Sequence, residues 1–171
     1  MGSGKTTVGR LLASRTGWPL YDNDALLAKL HDGATPRAVL ADSGGEGLRA
    51  AEADALRLGL SRTAPCIVAA PAGAILEQPI REALTKNALV IWLDAGPKTL
   101  ARRARGAAHR PWLDSDAETW MRTTLVERAP LYKSVADLIV GTQRRRPAAA
   151  ATQILDWLAD RVECAVLPPS G

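Results

Sequence analysis

Three observations predict an α/β fold with a parallel sheet. Short apolar runs alternate with segments of helical periodicity, Pro, Gly or Asp punctuates them, and none approaches the length of a membrane span. In chain order, Thr6 to Thr16 places Val8, Leu11 and Leu12 at i, i+3, i+4 and stops at Gly17, which predicts a helix. Pro19-Leu20-Tyr21 enters a short strand ending in Asp22-Asn23-Asp24. Residues 25–31 read as helix, broken by Gly33, and residues 36–42 and 46–61 as two more, separated by Ser43-Gly44-Gly45. Cys66 to Ala70, between Pro65 and Pro71, suits a buried parallel strand, and Ala88 to Leu93 a second. A helix over Pro97 to Arg105 leads into an aperiodic loop from Gly106 to Asp116. A helix from about Ser115 to Ala129, a strand at Ala136–Val140 and a helix from about Ala148 to Val162 complete the pattern, with Pro168 to Gly171 expected to fray.

The 171 residues, 47% hydrophobic and 23% charged, fit one soluble domain with its own core. No signal-peptide pattern occurs, so a cytoplasmic location is expected. Cys66 and Cys164 lack CxxC or Cys/His spacing, and Cys66, in an apolar run, reads as a small buried hydrophobe. The net charge of +4 raises nucleic acid as a partner. However, the arginines fall in two discrete clusters, Arg102, Arg103, Arg105 and Arg110, then Arg144 to Arg146, without interleaved aromatics. Such clusters fit a polyphosphate ligand at least as well as a duplex-binding stripe, and the missing aromatics speak against single-strand binding. A solvated basic face is the bland reading of either cluster alone.

Two motifs carry chemistry. Gly2-Ser3-Gly4-Lys5-Thr6-Thr7 runs straight into a helix and matches the end of the G-x-x-x-x-G-K-[ST] phosphate loop. Glycines let the backbone wrap a phosphate, N–H groups at the helix start bind its oxygens, Lys5 reaches the β/γ-phosphates and Thr6 ligates Mg²⁺. Asp22 and Asp24 follow at i, i+2 on a strand end, where they would share a face; capping of the next helix explains the pair about as well.

These segments resemble the shikimate kinases, P-loop kinases of the nucleoside-monophosphate-kinase type. The resemblance rests on GSGKTTVGRLLA, YDND, Leu48-Arg49 with Glu52, VIWLDA, His109-Arg110-Pro111-Trp112-Leu113, RAPLYKSVAD and VGTQRRRP, in that order from Gly2 nearly to the C-terminus. It implies a single three-layer α/β/α domain over 1–171, with an acceptor-binding segment at 25–62, a lid at 106–116 and an adenine loop at 140–147. ATP and Mg²⁺ are the implied cofactors, a small hydroxy acid the substrate, and a monomer without nucleic-acid or membrane partners the expected state. The implied nucleotide-binding residues are Gly2, Ser3, Gly4, Lys5, Thr6, Thr7, Arg110, Arg145 and Pro147. The implied acceptor residues are Asp24, Arg49, Gly73 and Arg128, with Asp24 on the hydroxyls and the arginines on a carboxylate. Lys5, Asp24 and Arg110 would be catalytic, and Thr6 and Asp22 would face the metal.

The sequence departs from the family pattern on the acceptor side. Pro71-Ala72-Gly73 replaces Gly-Gly-Gly, Gly45 replaces an acidic residue, Leu40 and Leu48 replace two phenylalanines, and Ala28 stands near a usual glutamate. A related cyclitol, a gluconate-type sugar acid, or a nucleotide-binding module without catalysis therefore stand beside shikimate as readings. The first loop glycine and the strand feeding it would lie upstream of Met1. The expectation is a start site placed too late, with about five or six apolar residues ending in Gly just upstream. Otherwise the chain would be a truncated, inactive kinase. Without that strand, two half-sheets should each expose an unpaired edge.

Overall fold

The computed structural model describes residues 2–104 and 116–166, the side chains of 162–166 excepted. The lid expected at 106–116 therefore lies, except for Asp116, outside the described residues, as do Arg105 and Arg110. Among the described residues seven α-helices and four strands follow one another, with a 3₁₀ turn at Ala74–Leu76: α1 Lys5–Thr16, β1 Leu20–Asp22, α2 Asn23–Leu30, α3 Pro36–Leu60, β2 Ile67–Ala69, α4 Gln78–Asn87, β3 Ile91–Asp94, α5 Pro97–Ala104, α6 Ala117–Val135, β4 Leu138–Gly141 and α7 Pro147–Val166.

The strands form two parallel ladders, β1 with β2 and β3 with β4, registered Leu20 to Ile67 and Ile91 to Leu138. Among the described residues the two ladders share no strand-to-strand pairing. One apolar cluster bridges them: Val8 and Leu12 of α1 pack with Leu93, Val140 and the α7 residues Ala150, Ala151 and Ile154, with Ile67, Ile91 and Leu138 against them. On the opposite face, Leu56 of α3 and Ile80 and Leu84 of α4 pack with Val68. Helices thus cover both faces of the strand layer. Leu27 and Leu56 are fully buried in neighbouring clusters. Leu56→Ala is expected to cost about 2–5 kcal/mol, read as a lower urea midpoint at unchanged slope.

Several expectations change in detail. The strand at 20–22 hands over to helix without a loop, because the Asp22 carboxylate accepts the Asp24 N–H at 3.1 Å and caps α2. Asp24 is therefore in the first turn of a helix and not on a strand. The break expected at 43–45 is a kink at Gly44 (φ 67°, ψ −171°) within α3. Cys66 is half-buried rather than buried. Helix α4 is an element that the sequence reading passes over. Helix α6 continues through Pro130 to Val135 instead of ending at Ala129. The carbonyl that Pro130 leaves unpaired belongs to Val126, which is 74% exposed, so water can satisfy it.

Candidate active site

The phosphate loop is shaped by two glycines in left-handed conformations, Gly2 (φ 69°) and Gly4 (φ 95°), the second immediately preceding α1. No side chain caps α1, so its first N–H groups are available to an anion. The loop is held from behind. Arg103 donates to the Gly2 carbonyl at 3.3 Å and to the Thr142 carbonyl at 2.8 Å. The buried Thr142 hydroxyl lies 3.3 Å from the Ser3 carbonyl and 3.1 Å from that of Asp94. The loop is thereby tied to the C-terminal ends of β3 and β4. Gly2 has no room for a side chain, since a Cβ would stand 2.9 Å from the Leu100 carbonyl oxygen. Gly2→Ala is expected to weaken ATP binding at least tenfold, measurable by nucleotide titration, because both the positive φ and the close backbone are lost.

The Thr6 hydroxyl donates to Asp22 Oδ2 at 2.9 Å, joining the two residues expected near a metal. Among the described residues no group of three or more His, Cys, Asp or Glu side chains gathers elsewhere to hold an ion. An alcohol and a carboxylate suit Mg²⁺, which takes hard oxygen ligands and completes its shell with water and substrate phosphates.

A cavity of about 590 Å³ opens beside this loop. Ser3, Lys5, Thr6 and Asp22 border it together with Asp24, Arg49, Gly73 and Arg128. Eight of the predicted site residues thus share one space, contributed by the phosphate loop and by β1, α2, α3, the loop after β2 and α6. Leu40, Leu48 and Gly45 also border it, so the altered positions do face the same cavity. Gly2 and Gly4 shape the loop without lining the cavity, and Thr7 lies exposed on α1. Arg145 and Pro147 stand apart from it at the start of α7, where Arg145 donates to Gln153. Of the arginine cluster expected at 102–110, Arg103 braces the loop backbone, and Arg105 and Arg110 lie outside the described residues.

Three residues missed by the sequence reading border the cavity too. Asn23 is 1% exposed, and neither atom of its amide has a hydrogen-bond partner among the described residues. Trp92 of β3 stacks on Tyr132 of α6, with ring centroids 5.4 Å apart. Burial raises the Tyr132 pKa above its ordinary range, the neighbouring Arg128 guanidinium pulling it the other way. An alternating polar residue in a D-x-D run was the available signal for Asn23. For Tyr132 the signal was its i+4 spacing from Arg128, hidden by ending the helix at Ala129.

Comparison with known proteins agrees with this geometry. The family model described as shikimate kinase matches residues 1–159. A shikimate kinase of Symbiobacterium thermophilum is 39% identical over 166 residues, covering 95% of this chain and 94% of that protein. One from Marinomonas sp. is 34% identical over 158 residues, covering 91% and 86%. Among solved structures, the shikimate kinase from Acinetobacter baumannii in complex with shikimate superposes with a TM-score of 0.87 at 32% identity, covering 94% and 89%. The shikimate kinase of Aquifex aeolicus superposes at 0.80 over 95% and 94%, at an identity of 22% that speaks for the fold alone.

Proposed function

Because the chain belongs to the shikimate kinase family, we propose that it transfers the γ-phosphoryl group of ATP to a hydroxyl of shikimate, yielding shikimate 3-phosphate and ADP. One observation carries the reading: a single cavity is bordered by the phosphate-loop residues Lys5 and Thr6 and by the carboxylate and guanidinium groups of Asp24, Arg49 and Arg128. Donor and acceptor can therefore meet in one space, which is most of what phosphoryl transfer requires of a protein.

Each side chain then has a task. Lys5 and the open N–H groups of α1 hold the phosphates. Thr6 and Asp22 hold Mg²⁺, which when bound neutralises charge on the transferring group. An alcohol barely ionises at neutral pH, and Asp24 accepts its proton as the new O–P bond forms. Arg49 and Arg128 grip the acceptor carboxylate, for which a planar guanidinium offers paired N–H donors. Arg110 is assigned to the nucleotide phosphates and Arg145 and Pro147 to the adenine by resemblance alone. Such a reaction serves the synthesis of aromatic amino acids. A small-molecule partner suffices for it, and we propose a cytoplasmic monomer as its setting. Among the described residues no helix is long and apolar enough to cross a membrane.

The test is ADP release measured with shikimate, quinate and gluconate in parallel. Turnover that depends on shikimate supports the assignment. Turnover with another hydroxy acid alone would move the substrate while keeping the chemistry. ATP binding without turnover on any acceptor would leave only a nucleotide-binding module.

A further inference from the structure

The loop after β2, Pro71-Ala72-Gly73, is fixed through its carbonyls. That of Pro71 accepts the Ala74 N–H at 3.3 Å, and that of Gly73 the Leu76 N–H at 3.0 Å. The middle carbonyl, Ala72, is held from across the cavity by α6. Tyr132 donates its hydroxyl at 2.7 Å, and Arg128 Nη1 approaches the same oxygen at 3.5 Å. These residues are one helical turn apart and so lie on one face of α6. Tyr132 is itself fixed by its stack on Trp92. One phenol thus joins β3, through Trp92, to the loop leaving β2, across the edge where the two ladders are not hydrogen-bonded.

We propose that Tyr132 is a positioning residue for acceptor binding: its hydroxyl, anchored on the Ala72 carbonyl, sets both the Ala72–Gly73 peptide and the Arg128 guanidinium. The argument follows from the planarity of the peptide. The 72–73 bond is trans, so a carbonyl turned toward α6 turns the Gly73 N–H away from it. On that loop a Cβ at Gly73 would lie 3.4 Å from Glu52 Oε2, a buried carboxylate that also borders the cavity. The Tyr132 bond therefore decides which way the loop presents its backbone donor. It also keeps the Ala72 carbonyl occupied. Without the phenol that oxygen has only the long contact to Arg128, and the guanidinium is free to turn fully onto it. Arg128 also borders the cavity, so the guanidinium that leans on this carbonyl is the one assigned to the acceptor. An arginine that turns onto a backbone carbonyl is an arginine withdrawn from a carboxylate.

The proposal rests on the acceptor assignment made above, and its test separates the two. Tyr132→Phe keeps the ring on Trp92 and removes only the hydroxyl. KM for shikimate should rise about three- to tenfold, the share of one hydrogen bond. KM for ATP should stay unchanged, and kcat should fall by less than about threefold. A purely structural role would lower the melting temperature and leave the shikimate KM where it was, which would overturn the proposal. A second readout needs no acceptor. In ligand-free protein, the Gly73 amide resonance should shift in Tyr132→Phe relative to wild type, because its peptide loses the bond on the Ala72 carbonyl. If the wild-type enzyme does not phosphorylate shikimate, the acceptor assignment falls, and an unchanged Gly73 resonance would then sink the positioning role by itself.

Discussion

Asp24→Asn is expected to lower kcat with shikimate by about 10²–10⁴-fold while ATP still binds with near wild-type affinity. The substitution preserves size and removes the base. Asp24 borders the cavity from the first turn of α2, whereas Asp22, two residues earlier, is occupied with the Thr6 hydroxyl and with capping that helix. Both carboxylates border the cavity, and the proposed reading gives Asp22 to the metal side and Asp24 to the acceptor. Folding should survive, since Asp22 and not Asp24 supplies the cap. The decisive comparison is steady-state turnover alongside nucleotide titration of the same preparation. Turnover within threefold of wild type would remove Asp24 as proton acceptor, and a matching loss of ATP affinity would place it in nucleotide binding instead.

Arg128→Ala should act on the other ligand, raising KM for shikimate about a hundredfold and leaving KM for ATP within about threefold. Charge-assisted hydrogen bonds are worth about 1.5–3 kcal/mol each, so the loss of a paired contact is of that order. Lysine should not restore the affinity, because a point charge cannot reproduce the planar fork. Acceptor analogues supply the control. An analogue without the carboxylate should bind wild type and Arg128→Ala about equally. If it still prefers the wild type, the guanidinium contacts something other than a carboxylate. Arg49, exposed on α3 and bordering the same cavity, should show the same pattern with a smaller penalty, since solvent screens it more.

The parts of the fold that depend on periodicity were legible in the sequence. The apolar runs became β2, β3 and β4 with shifts of one to three residues, and Gly44 broke its helix where Ser43-Gly44-Gly45 had marked a break. Helix α4 was not legible in the same way. Only Ile80 and Leu84 of its ten residues are buried, a stripe too narrow to stand out among charged neighbours, although Pro79 near its start was a usable cue. Pro130 misled in the opposite direction, ending on paper a helix that tolerates it where the unpaired carbonyl meets water. The site was more legible than its supports. Local motifs named Lys5, Thr6, Asp22 and Asp24, the family resemblance added Arg49 and Arg128, and all six border one cavity. Arg103, Thr142 and Tyr132 act through contacts 39 to 139 residues away in the chain, and no local pattern announces a partner at that distance.

The bracing of the phosphate loop has a consequence for motion. Arg103 and Thr142 tie the Gly2 and Ser3 carbonyls to the ends of β3 and β4, so the loop backbone moves only with that end of the strand layer. A loop stiffened in this way meets an anion with little left to order, and the N–H groups at the start of α1 stay aimed before any ligand arrives. Faster amide exchange through residues 3–6 in Arg103→Ala than in wild type would measure how much of that readiness the arginine supplies.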